Sequence, residues 1–66
     1  SELLKDYLND KSLNEQIDII NGLKVFDAEL INSQGGSIRC YICKKQFLTS
    51  SKLFMRIKSL YLQIRI

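Results

Sequence analysis

Histidine is absent from this 66-residue chain, and cysteine occurs only twice. Without an imidazole the chain has no histidine base, and its sequence shows no phosphate-binding glycine loop and no paired-carboxylate frame. We therefore expect neither an enzyme nor a small-molecule substrate. No apolar run approaches the roughly 18 residues of a membrane span, so we expect no membrane association.

Acidic residues are missing from the second half of the chain. Residues 1–33 carry seven acidic and three basic side chains, a net charge of −4, whereas residues 34–66 carry seven basic side chains and no acidic one, a net charge of +7. Such polarity indicates either a basic binding face or two halves that attract each other.

Length limits the core that this chain can build. A chain of this size buries only about 60% of the surface of its unfolded state, so it often depends on a metal, disulfides or a partner chain. We interpret residues 1–66 as a single small domain or a fragment of a larger protein, with an acidic helical part (1–33) and a basic part (34–66). The first residues lack the basic-then-apolar pattern of a secretory signal, which predicts an intracellular protein.

Helical periodicity and capping signals predict two short N-terminal helices. Apolar residues at helical spacing indicate the first over residues 2–9. Ser12 and Glu15 fit a capping box at the start of the second, and Asn21–Gly22 fits its end, with glycine in a left-handed conformation. A tight hairpin at Asn21–Gly22 is the alternative.

A β-hairpin is predicted next. Ile38, Cys40 and Ile42 alternate with Arg39, Tyr41 and Cys43, as in a strand. The paired glycines Gly35 and Gly36 supply a turn, so residues 24–31 are expected to pair with 37–43 as antiparallel strands. A helical first arm is the alternative.

A final amphipathic helix is predicted after Ser50 or Ser51. Its apolar seam is formed by Leu53, Ile57, Leu60 and Ile64, at spacings of four, three and four residues. Such a seam either packs into the core of the domain or binds a partner helix in a coiled coil. The fold expected from these elements is α+β.

The segment from Cys40 to Leu60 resembles a two-cysteine, two-histidine zinc finger. Cys40, Cys43, Phe47 and Leu53 match the frame of that family, but its histidine positions fall on Arg56 and Leu60. The resemblance implies a finger-like module, Cys40 and Cys43 as metal ligands, and a nuclear protein. Because two thiolates leave a tetrahedral site half empty, zinc should be shared between chains or absent.

A weaker resemblance is to the zinc hook of double-strand-break repair ATPases. There a Cys-x-x-Cys from each of two molecules binds one zinc ion, although Tyr41 stands where the hook usually has proline. A redox role for the cysteine pair is a further alternative, because basic neighbours lower a thiol pKa.

Two functions follow from these patterns. The first is a non-enzymatic binding module for protein–protein contact or self-association. The alternative is nucleic-acid binding through the basic half of the chain. The finger resemblance and the charges give the candidate nucleic-acid contacts as Lys44, Lys45, Thr49, Lys52, Arg56 and Lys58.

Overall fold

The chain folds as an α+β structure with a four-stranded mixed sheet. The computed structural model describes residues 1–32, 35–47 and 51–65. The elements are β1 (Glu2–Leu3), α1 (Leu4–Leu8), α2 (Leu13–Asn21), β2 (Leu23–Ile31), β3 (Ser37–Lys44), a short 3-10 helix (Lys45–Phe47), α3 (Lys52–Lys58) and β4 (Leu60–Arg65). The strand order is β1-β4-β3-β2, and only the β1–β4 pair is parallel.

Both N-terminal helices are confirmed, and the capping box at α2 is complete. The Glu15 N–H donates to Ser12 Oγ at 3.2 Å, and the Ser12 N–H donates to Glu15 Oε1 at 3.3 Å. The alternative hairpin at Asn21–Gly22 is wrong, because α2 continues to Asn21. The left-handed glycine is wrong too, because Gly22 has φ −90° and its N–H bonds back to the carbonyls of Ile19 and Ile20.

The antiparallel pairing predicted for residues 24–31 and 37–43 is present. β2 and β3 pair as antiparallel strands, so the first arm is a strand and not a helix. Gly35 and Gly36 have φ angles of 91° and 89°, which glycine adopts without steric cost. The pairing contains one irregularity, a β-bulge between Val25 and Asp27.

The predicted C-terminal helix is wrong in its second half. α3 ends at Lys58, and the extended backbone of Ser59 (φ −85°, ψ 170°) leads into β4. Leu60 and Ile64 therefore lie in a strand paired with β3, where they face Ile42 and Ile38. The spacing of the seam suited a helix, but apolar and polar residues also alternate with a period of two over residues 60–65. Pairing with β3 supplies hydrogen-bond partners for the backbone of these residues.

The short first strand was not predicted. β1 pairs with Leu60 and Tyr61 of β4, and the Ser1 amino group donates to the carbonyl of Ile57 at 2.7 Å. As a result α1 begins only at Leu4, after Leu3 at its N-cap. Ser51 occupies the N-cap of α3, but its side chain makes no capping bond. Ser50, the other predicted cap, lies outside the described residues.

The core is thin, as the length of the chain predicts. Among the described residues, the buried hydrophobic side chains are Tyr41, Ile42 and Met55. Tyr41 and Ile42 are consecutive on the central strand β3, so the sheet is covered on both faces at this point. No helix in the described ranges is long and apolar enough to cross a membrane.

Candidate interaction surface

Three consecutive rows on one face of the sheet are apolar throughout. Residues that pair directly across strands share a face, because side chains alternate between faces along each strand. The registers of β2, β3 and β4 set the rows side by side. They are Val25–Ile42–Leu60, Ala28–Cys40–Leu62 and Leu30–Ile38–Ile64, and we call them the apolar sheet face.

The opposite face is polar, and its side chains bond to one another. Arg39 donates from Nε and Nη2 to Gln63 Oε1 at 3.1 and 2.8 Å. Gln63 in turn donates from Nε2 to Ser37 Oγ at 3.0 Å. The Tyr41 hydroxyl donates to Glu29 at 2.9 Å. These bonds pair the polar side chains at the middle of this face with one another within the chain.

Arg56 joins α3 to this polar face. Its Nε lies 2.8 Å from Asp27 Oδ2, its Nη1 lies 3.4 Å from Glu29 Oε2, and its guanidinium stacks 4.7 Å from the centre of the Tyr41 ring. The hydrogen bond from Arg56 lowers the pKa of Asp27, and the hydrogen bond to Asp27 raises the pKa of Arg56. Charge pairing and stacking therefore place α3 over the polar face.

The bulge in β2 determines which side chains reach each face. Val25 pairs with Ile42 and Asp27 with Tyr41, which leaves Phe26 as the extra residue. In a regular register Asp27 would pair with Cys40 and lie on the apolar sheet face. The bulge instead moves Asp27 and the residues after it by one position. The carboxylates of Asp27 and Glu29 therefore lie on the polar face beside Arg56. Ala28 and Leu30 lie on the apolar sheet face instead.

The apolar sheet face is covered at one end only. Ile42 is 6% exposed, and with Leu60 it borders an open cleft of about 810 Å³ that α1 and α2 also line through Tyr7 and Ile19. At the other end Leu30 and Ile64 are 60% and 52% exposed. The two N-terminal helices therefore border Ile42 and Leu60 of the first row, whereas Val25 on β2 stays 52% exposed and much of the second and third rows faces solvent.

The two cysteines do not converge on one site. Cys40 pairs with Ala28 on the apolar sheet face, whereas Cys43 pairs with Lys24 on the opposite face. Residues three apart in a strand point in opposite directions, so β3 does not present both thiolates to one metal ion. Among the described residues, no group of three or more metal-ligating side chains is close enough to hold an ion. In the described part of the chain, the two predicted ligands Cys40 and Cys43 therefore lie on different faces, and zinc binding stays a prediction.

Most of the predicted nucleic-acid contacts are exposed. Lys44, Lys45, Lys52 and Lys58 are exposed, and none of the four forms an ion pair within the described ranges. The Lys58 ammonium lies 5.4 Å from the centre of the Phe54 ring. Arg56 is half-buried between Asp27 and Glu29, so its guanidinium is already bound. Thr49 lies outside the described residues.

The four predicted interface residues separate onto two elements. Leu53 and Ile57 are exposed on α3, whereas Leu60 and Ile64 belong to the apolar sheet face. The sequence reasoning did not assign the other exposed members of that face, which are Val25, Ala28, Leu30, Ile38 and Leu62. A signal for β4 was present, since Leu60, Leu62 and Ile64 alternate with Tyr61, Gln63 and Arg65.

Comparison with known proteins gives no family for this chain. No family model matches it, and no curated protein or solved structure is significantly similar to it.

Proposed function

We propose that this chain is a non-enzymatic binding module whose apolar sheet face packs against another polypeptide. The observation that carries the proposal is the contrast between the two faces of one sheet. The polar face is bonded within the chain and joined to α3 through Arg56, whereas the apolar face leaves Leu30 and Ile64 more than half exposed. Exposed apolar patches of several hundred Å² are typical of interaction sites.

Stability gives a second reason for a partner. A domain of this size with three buried hydrophobic side chains in its described part has little core to offset the entropy of folding. Covering the apolar sheet face would remove several large aliphatic side chains from water, each contributing on the order of 1.5–3 kcal/mol when fully buried. Binding and folding would therefore support each other. An intracellular location stays a prediction of the sequence.

An apolar fluorescent dye tests whether the face is an open surface. At high dilution the wild-type chain should bind a dye such as bis-ANS, and Leu30→Lys combined with Ile64→Lys should lose a clear part of that signal, because exposed apolar residues of α2 and α3 also offer the dye contacts. Leu53→Lys is the matched control, since Leu53 is 70% exposed on α3, away from the sheet face. A double variant that binds dye as strongly as the wild type would contradict the proposal.

Nucleic-acid binding is the second candidate, favoured by the four exposed lysines of the basic half. Their charge is diffuse and Arg56 is already paired, so binding would be weak and tolerant of sequence. Neutralised phosphates release counterions, so the affinity should fall steeply with salt. Titration of a labelled duplex at rising salt tests this; salt-independent binding or a sharp sequence preference would contradict it.

A further inference from the structure

We propose that a second copy of this chain covers the apolar sheet face, so that two copies stack sheet on sheet about a two-fold axis. This inference rests on the proposed function and names the partner. In such a dimer, each chain forms one layer of a symmetric two-layer assembly. The exposed part of the apolar sheet face of one copy packs against the same part of the other copy.

The exposed area suits such a dimer. The chain exposes 4952 Å² at a mass of 7.7 kDa, whereas a folded monomer of this mass exposes about 4,300 Å². This excess of roughly 600 Å² is shared between the apolar sheet face and exposed apolar residues of α2 and α3 such as Leu13 and Leu53. The part on the sheet face lies within the ~800 Å² that each partner contributes to a standard interface, so one further copy is large enough to cover that face.

The charge distribution also permits a second copy. The three rows of the apolar sheet face hold no ionisable group other than the thiol of Cys40. Two chains of net charge +3 can therefore stack without bringing like charges together at the centre of the contact. A strongly charged partner would find no complementary group there.

Stacking is favoured over pairing at the sheet edge. β2 is an edge strand, but the bulge at Phe26 bends it and interrupts the regular spacing of its outer backbone groups. Bulges of this kind hinder edge-to-edge pairing. The face of the sheet is not interrupted in this way, and two sheets pack about 10 Å apart when their apolar faces meet.

Two-fold symmetry also agrees with the position of the helices. α1 and α2 lie at the Ile42–Leu60 end of the face, so a two-fold axis near Cys40 and Ile38 would put the helices of the two copies at opposite ends. Residues close to such an axis lie opposite themselves in the second copy. The two Cys40 thiols would then face each other across the contact.

Solution mass tests the proposal with one variant and one matched control. Sedimentation equilibrium from low micromolar to millimolar chain should show the wild-type mass doubling. Leu30→Lys should weaken the dimer by about tenfold or more, because it places a charge in an apolar contact. Leu53→Lys should leave the dimer intact, since it makes the same change on α3. Far-UV circular dichroism should show that both variants keep the wild-type fold.

Cysteine cross-linking supplies a second readout that leaves every aliphatic side chain of the apolar sheet face unchanged. A short bismaleimide should join two chains of the wild type and of Cys43→Ser, and it should not join two chains of Cys40→Ser. Cys43 lies on the other face, and burial raises the pKa of its thiol, which disfavours the reactive thiolate.

The outcomes separate this inference from the proposed function. A wild type that binds the apolar dye but stays monomeric at millimolar concentration would overturn the second copy and leave a different polypeptide as the partner. A dimer broken by Leu53→Lys but not by Leu30→Lys, or cross-linking through Cys43, would overturn it as well. Loss of dye binding by the wild type would overturn both.

Discussion

Arg56 and Asp27 form the contact that fixes α3 on the sheet, with 2.8 Å between Arg56 Nε and Asp27 Oδ2. They are 29 residues apart in the sequence. Asp27 reaches the polar face because of the β-bulge, and Arg56 lies in α3 where the zinc-finger frame would have a histidine. A charge pair stacked on Tyr41 thus occupies the place that the resemblance assigns to a metal ligand.

The Asp27–Arg56 pair should make the free energy of unfolding depend on pH in the acid range. The hydrogen bond from Arg56 holds the pKa of Asp27 below its ordinary value of 3.8. At pH values between the lowered pKa of folded Asp27 and its ordinary value, the unfolded chain therefore binds more protons than the folded chain. The stabilisation should be complete above about pH 4 and should disappear as the pH falls through the folded-state pKa.

Thermal melts between pH 7 and pH 2 measure this effect. Asp27→Asn should melt lower than the wild type at pH 7, and the gap should close in acid. Asp10→Asn is the control, because Asp10 is exposed and its ion pair among the described residues is with its neighbour Lys11 at 3.4 Å. A gap between Asp27→Asn and the wild type that persists at pH 2 would contradict the prediction.

Two serines at helix starts should differ in their contribution to stability. Ser12→Ala removes the acceptor of the α2 capping box and should cost about 1 kcal/mol. Ser51→Ala should cost much less, because the Ser51 side chain makes no capping bond at α3. Urea denaturation of both variants provides the comparison, and equal losses would show that α2 does not depend on its cap.

Met55 should carry most of the apolar packing of α3. It is the buried hydrophobic residue of that helix, so Met55→Ala should cost about 2–5 kcal/mol, a large share of the stability of a small domain. Leu53→Ala, on the exposed side of the same helix, should stay within about 0.5 kcal/mol of the wild type. Denaturant midpoints measure both losses. A larger loss for Leu53→Ala than for Met55→Ala would contradict the prediction, because it would show that the Leu53 side of α3 packs against the sheet.

Zinc, if it binds, should not exceed about one ion per two chains. Cys40 and Cys43 lie on opposite faces of β3, and the chain has no histidine to complete a site. Elemental analysis combined with solution mass measures the ratio. A monomer that holds one full zinc ion would contradict this prediction and would require β3 to open so that both thiolates reach the metal.

Local signals predicted much of this fold. The Ser12–Glu15 box set the start of α2, and the Gly35–Gly36 turn set the hairpin, because both depend on residues close in sequence. β4 was not predicted, since the helical spacing of Leu60 and Ile64 hid their alternation, and only pairing with β3 decides between the two. The apolar sheet face depends on that pairing and on the β2 bulge, so neither local periodicity nor composition could reveal it.

Methyl NMR across a dilution series tests the central claim most directly, because it observes each face of the unmodified chain separately. From millimolar to low micromolar chain, we predict shifts of the methyl signals of Leu30, Ile38, Leu62 and Ile64. The methyl signals of Leu13 on α2 and of Leu53 and Ile57 on α3 should stay constant. Shifts confined to the helices, or constant signals from the sheet at every concentration, would contradict the account in which a second copy covers the apolar sheet face.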